Sequence, residues 1–124
     1  SEVRPIADRP FLAKTWRGRL DELLVRRAEL FERIMPFRIA ADVHRHASPQ
    51  IAERQREFVA LQRGYLLKAL PASIARHPAR LEALDLATSY EAWRRLRHEQ
   101  QLPPAEAAKT MALLVQALIA GESP

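Results

Sequence analysis

The sequence predicts an all-α fold, an antiparallel helical bundle of about four main helices and one short one. Three features carry that prediction. Glycine is rare, three in 124 residues, while Ala, Leu, Arg and Glu, which favour helices, fill long runs. Apolar residues recur at spacings of three and four. No stretch alternates β-branched and polar residues as a half-buried strand does. The nine prolines then act as punctuation between periodic segments. A chain of 124 residues is long enough for one core, so residues 12–121 are read as a single domain and 1–11 as an extended lead-in holding Pro5 and Pro10.

The first predicted helix runs from about Leu12 to His44. Its apolar stripe is Trp16, Leu20, Leu23, Arg27, Leu30, Ile34, Phe37 and Ala41, with Leu24, Phe31, Met35 and Ile39 beside it. Pro36 interrupts the pattern. It removes one backbone hydrogen bond and its ring presses on the carbonyl of Glu32, so a kink or break is expected there. Ser48 and Pro49 then read as N-cap and first helical residue. The helix they open extends to about Leu70, with Ile51, Phe58, Leu61 and Tyr65 on one side and Val59, Leu66 and Leu70 widening it. A short helical turn fits before Pro78. A helix over about 79–100 carries Leu81, Leu84, Leu86, Tyr90, Trp93 and Leu96. The final helix begins near Pro104, with Glu106 in its electropositive first turn, and ends at Gly121, a natural C-cap.

That final helix is unusual. Between Lys109 and Glu122 it holds no charge, in a chain that is 28% charged. Met111, Val115 and Leu118 form one stripe, Leu114, Ala117 and Gly121 another, and Leu113 and Ile119 widen the surface. A helix apolar nearly all round must be covered nearly all round. Either it is the central core helix of one subunit or a second copy of the chain covers it. A two-fold interface using the last two helices is the preferred reading. Candidate interface residues are Tyr90, Trp93, Met111, Leu114, Val115 and Leu118.

Composition narrows the remaining choices. There is no cysteine, which excludes disulfides and thiolate metal sites. The charge-free run is about half the ~20 residues that a membrane helix needs, and no basic leader followed by an apolar stretch opens the chain. A non-membrane, cytoplasmic protein is expected. The chain opens on Ser1, with Met35 and Met111 its only methionines, as a processed product or part of a longer protein would. The net charge is +5 and the pI 10.4, but opposite charges are interspersed. Residues 1–45 hold ten basic and seven acidic side chains, and 78–124 five and six. Solvated arginine-rich faces explain this better than a nucleic-acid surface.

The stretch LATSYEAWRRLRHEQQLPPAEAAKTMALLVQAL, Leu86 to Leu118, resembles the end of the C-terminal domain of tetracycline-repressor (TetR) family regulators. The shared shape is a Ser-aromatic-Glu-Ala-Trp helix, a Leu-Arg pair, a Gln-Leu corner and an Ala-rich amphipathic helix. Upstream, RRAELFERIMPFRIAADVHRHASPQIAERQREF is similar to the helix pair leading into that segment. The resemblance implies an all-α domain that homodimerises through its last two helices, here about 79–100 and 104–120. It also implies a small-molecule effector held among the earlier helices, around Leu24 to Ala41 and Ile51 to Leu70. In the family an N-terminal helix-turn-helix reads DNA. The residues before Trp16 are too few to supply one, so DNA binding is expected only through a separate domain.

The effector pocket is expected near the Pro36 kink, lined by Phe31, Met35, Phe37, Phe58 and Tyr65. Arg27, a charge on the apolar stripe, either anchors an acidic effector group or snorkels to water or to Glu57 or Asp21. His44 and His46, two apart, point to opposite sides of a helix and cannot share a metal while it lasts. No metal or cofactor is expected. Ser48 and Ser89 read as a cap and a helix residue rather than nucleophiles, and no glycine-rich phosphate loop is present, so the chain is not read as an enzyme. A helical protein-interaction domain without a ligand is the alternative, and a basic nucleic-acid binder a third.

Overall fold

The computed structural model describes residues 8–124. Most of the expected extended lead-in, 1–7, lies outside the described residues. Among those described, all regular structure is helical: α1 (Trp16–Asp42), α2 (Pro49–Ala69), α3 (Ala72–Ala75), α4 (Pro78–Ala87), α5 (Tyr90–Arg94) and α6 (Pro104–Ile119). A wider π-type turn, Arg95–Glu99, continues α5.

α1 starts four residues later than the apolar pattern suggests. Thr15 is the cap, its hydroxyl accepting from the Gly18 amide at 3.1 Å. Leu12 and Ala13 lie before it and donate their backbone N–H groups to the Glu22 carboxylate. A Cβ on Gly18 would lie 2.7 Å from that of Ala13, so this close approach of the lead-in to the helix requires glycine.

Pro36 does not break α1, which is helical through to Asp42. Pro36 is exposed, and a proline on the solvent face leaves the freed carbonyl open to hydration. Ser48 caps α2 as expected, accepting from Ile51 N. α2 runs antiparallel to α1. Cross-helix contacts pair Arg27 with Gln62, Phe31 with Phe58 and Asp42 with Gln55, each step down one helix matching a step up the other.

The single helix expected over 79–100 is two. Thr88 donates its hydroxyl back to Leu84 O, Ser89 donates to Leu86 O, and Ser89 also caps α5 by accepting from Ala92 N at 3.1 Å. α5 then widens into the π-type turn, closed by Gln100 N to Arg95 O. The turn ends at Gln101, whose φ is +55°. α6 ends at Ile119 with Ala120 as its cap, rather than at Gly121, which follows with φ +85°. The tail beyond it is held by Glu122, which accepts from Arg80 at 2.8 Å and from the Ser73 hydroxyl, and whose backbone carbonyl accepts from Arg17.

Two apolar cores result. One gathers Trp16, Leu20, Leu23, Leu66, Ile74, Leu84 and Ile119. The other gathers Leu30, Phe31, Met35, Tyr90, Trp93 and Met111. Arg27, one helical turn below Leu30 on α1, is buried between them.

Candidate functional site

Two surface grooves carry the features that sequence reasoning singled out. The first, of about 430 Å³, lies between the C-terminal half of α1 and the N-terminal half of α2. Ile34, Phe37 and Ala41 form one wall, Ile51 and Phe58 the other, with Arg38, Arg54 and Gln55 supplying the polar atoms. The groove is open because α1 outruns the bundle. Its last two turns pack on α2 and, through Arg38, on Tyr90 and Glu91 of α5, and Phe37 on the remaining side is 78% exposed.

Arg38 lies across the Tyr90 ring at 4.6 Å and donates to Glu91 at 3.0 Å. Gln55, buried, donates its amide nitrogen to Asp42 at 2.8 Å, while its carbonyl oxygen has no donor. The Tyr90 hydroxyl is likewise buried without a partner, and burial pushes its pKa up to about 12. Arg54 has neither a hydrogen bond nor an ion pair among the described residues, and no carboxylate lines the groove.

The second groove, of about 630 Å³, runs between α6 and the α4–α5 pair. Ala83, Leu86 and Ala87 face Leu114, Ala117 and Leu118 across it. Leu86 is 70% exposed, Leu113 72% and Leu114 45%. On the other side of α6, Ala107, Met111, Val115 and Ile119 are buried. The helix that is apolar nearly all round is thus covered on one side only.

Several candidates move. Phe31 and Met35 are core residues, because the helix stripe that carries them faces α5 rather than α2's open end; Phe31 meets the Tyr90 ring edge-on at 5.8 Å. Tyr65 packs on the lower core and hydrogen-bonds Asp8, away from the groove. Phe37 and Phe58 line it. Of the interface candidates, Tyr90, Trp93, Met111 and Val115 are buried within the single chain, their stripes facing α1 and the core. Leu114 and Leu118 line the second groove.

Arg27 neither snorkels nor faces a groove. Its guanidinium donates to Thr88 O at 3.1 Å, to the Thr88 hydroxyl at 2.8 Å and to the Gln62 carbonyl. Burial lowers its pKa to about 10, with Asp85 opposing that shift. Glu32, not foreseen as important, accepts from Trp93 Nε1 at 2.8 Å and from Arg97 at 2.8 and 3.0 Å. The Arg97 hydrogen bonds hold its carboxyl below the usual range. Tryptophan in SYEAW could have signalled a buried donor needing an acceptor, but not which one.

His44 and His46 are exposed in the turn after α1, and His77 caps α4, its Nδ1 accepting from Arg80 N. Among the described residues no group of three or more His, Asp or Glu side chains is placed to hold a metal ion, and no helix is long and apolar enough to cross a membrane. Comparison with protein-family models, curated proteins and solved structures gives no match.

Proposed function

We propose that this chain is the ligand-sensing and homodimerisation domain of a TetR-like transcriptional regulator, cytoplasmic, with DNA bound only through a separate helix-turn-helix domain. One observation carries the reading: α6 is apolar nearly all round and the chain covers one side of it. A second copy, pairing α4 and α6 with their equivalents, would bury Leu86, Leu113 and Leu114 and bring alanine-rich surfaces close. The Leu86 to Leu118 resemblance supports the same pairing.

The effector groove is the one between α1 and α2, and α1 is tied to the dimer face at three points. Arg27 reaches Thr88, Glu32 holds Trp93 and Arg97, and Arg38 holds Glu91. A ligand that favours one position of the last turns of α1 would shift the α4–α5 pair with it, and in the intact regulator change the spacing of the DNA-binding heads. A non-sensing interaction domain would share the exposed α6 face but would have no use for these ties. A nucleic-acid surface is less favoured, since Arg38, Arg63, Arg80, Arg94 and Arg97 are each paired with a carboxylate.

Thermal-shift screening of a library of small apolar and amphipathic compounds tests the sensing role. Effectors should raise the unfolding midpoint of the chain and leave that of Phe37→Glu, whose groove carries a charge, unchanged. A set of stabilising compounds that act equally on both would place sensing elsewhere or nowhere.

A further inference from the structure

We infer that the groove between α1 and α2 takes an amphipathic carboxylate, its apolar body lying along Ile34, Phe37, Ile51 and Phe58 and its head group on the Arg54 guanidinium. This rests on the effector reading and gives it a ligand class. The walls are almost wholly apolar, so the body of the occupant is apolar. The groove is lined by two cations and no acid. Arg38 is charge-paired with Glu91, with Asp42 3.5 Å away, although its buried Nε donates no hydrogen bond. Arg54 is the lining cation without a counter-charge.

Of the nearby acids, Glu57, one turn further along α2, has no partner among the described residues and does not pair with Arg54 in the structure, and the others are engaged elsewhere. Asp42 is held by Gln55, Glu91 by Arg38 and Glu53 by Arg56. One open guanidinium fits one single negative charge, and its planar fork suits a carboxylate. A phosphate would want more than one free cation. The wall on α1 spans Ile34 to Ala41, about two turns or roughly 10 Å, which suits a medium-chain acyl or arylalkyl body rather than a peptide helix.

Isothermal titration of the whole chain with decanoate, decanol and decylamine, all below their aggregation limits and at low salt, tests this. Decanoate is expected to bind about tenfold more tightly than decanol, with decylamine weakest. Arg54→Ala should erase the decanoate advantage and leave decanol binding as it was. Arg76→Ala makes the same change in net charge on an exposed site elsewhere, and should leave the advantage intact. Phe37→Glu should abolish binding of decanoate and decanol without moving the unfolding midpoint. Equal binding of decanoate and decanol to the unaltered chain would overturn the carboxylate assignment and leave the effector groove standing. Loss of the advantage in Arg76→Ala as well would reduce it to general attraction by a basic protein and overturn the assignment too. Binding that survives both Arg54→Ala and Phe37→Glu, or no binding of any probe, would overturn the groove itself.

Discussion

The groove between α1 and α2, about 430 Å³, and the one along α6, about 630 Å³, both have mostly apolar walls, yet their polar rims differ in kind. Along α4, α5 and α6 every rim charge has a hydrogen-bond partner within the chain, an opposite charge for Arg94 and Glu91 and a neutral amide for Arg95. Arg94 pairs with Glu99, Glu91 with Arg38, and Arg95 donates to Gln100. Between α1 and α2 one cation, Arg54, has no hydrogen-bond or ion-pair partner among the described residues. A surface whose charges are satisfied within the chain can be buried against another apolar surface without stranding an ion. A surface that leaves one charge open asks its occupant to bring the opposite one. On the proposed reading, the rims rather than the walls separate a face for a protein partner from a groove for a small ligand.

Arg27 belongs to neither groove, so its removal should separate their fates from that of the fold. Arg27→Ala is expected to cost about 3 kcal/mol through lost buried hydrogen bonds and the cavity left behind. Arg27→Met, which refills the space and removes a buried charge, should cost about half as much. Urea unfolding measures both. A smaller loss in Arg27→Ala than in Arg27→Met would contradict the packing role given to the side chain.

A smaller effect is expected at Glu32, where α1 meets the π-type turn. Its folded carboxyl titrates below its unfolded value, so the stability it contributes is present above the unfolded carboxylate range and fades as pH falls through it. Arg97→Ala should therefore destabilise the protein by about 1 kcal/mol at neutral pH. It should also make the decline in stability between neutral pH and pH 3 shallower. Unfolding midpoints across that range decide this. An unchanged acid limb would remove Glu32 from the ties between the ligand side and the dimer side.

Arg54→Ala sharpens the contrast from the other direction. An unpaired surface cation should matter for binding and not for folding, so its stability should stay within about 0.5 kcal/mol of the parent chain. The smallest effect is a gain. Gln101 sits at φ +55°, where glycine carries less strain, and Gln101→Gly should stabilise by about 0.5 kcal/mol after its unfolded-state entropy is counted. Thermal denaturation reads both.

Much of the fold could be read in the sequence because its helices advertise their ends. Ser48-Pro49 and Pro103-Pro104 open helices as local chemistry requires, while Gly121 takes its positive φ just beyond the Ala120 cap of α6. The break at Thr88-Ser89 was legible in principle, as a serine cap before Tyr-Glu, but the apolar period runs through it and hid it. The break that was one of the two outcomes expected at Pro36 is absent, since a proline on a solvent face can leave a helix continuous. Side-chain roles were less legible. Period alone cannot say which of two adjacent stripes faces a neighbour, so Phe31 and Met35 were assigned to a cavity and Tyr90, Trp93, Met111 and Val115 to an interface when all six are core. The partners of Arg27 and Glu32 lie 35 to 65 residues away along the chain and leave no local pattern.

The central claim is that the open side of α6 is a subunit interface. Light scattering across a dilution series, with Leu114→Glu and Leu86→Glu beside the unaltered chain, measures it directly. The expected result is a dimer for the parent chain and folded monomers for both variants, since each glutamate would place an unpaired charge in the buried contact. A parent chain that stays a well-folded monomer at the highest concentration, or variants that remain dimers, would contradict it.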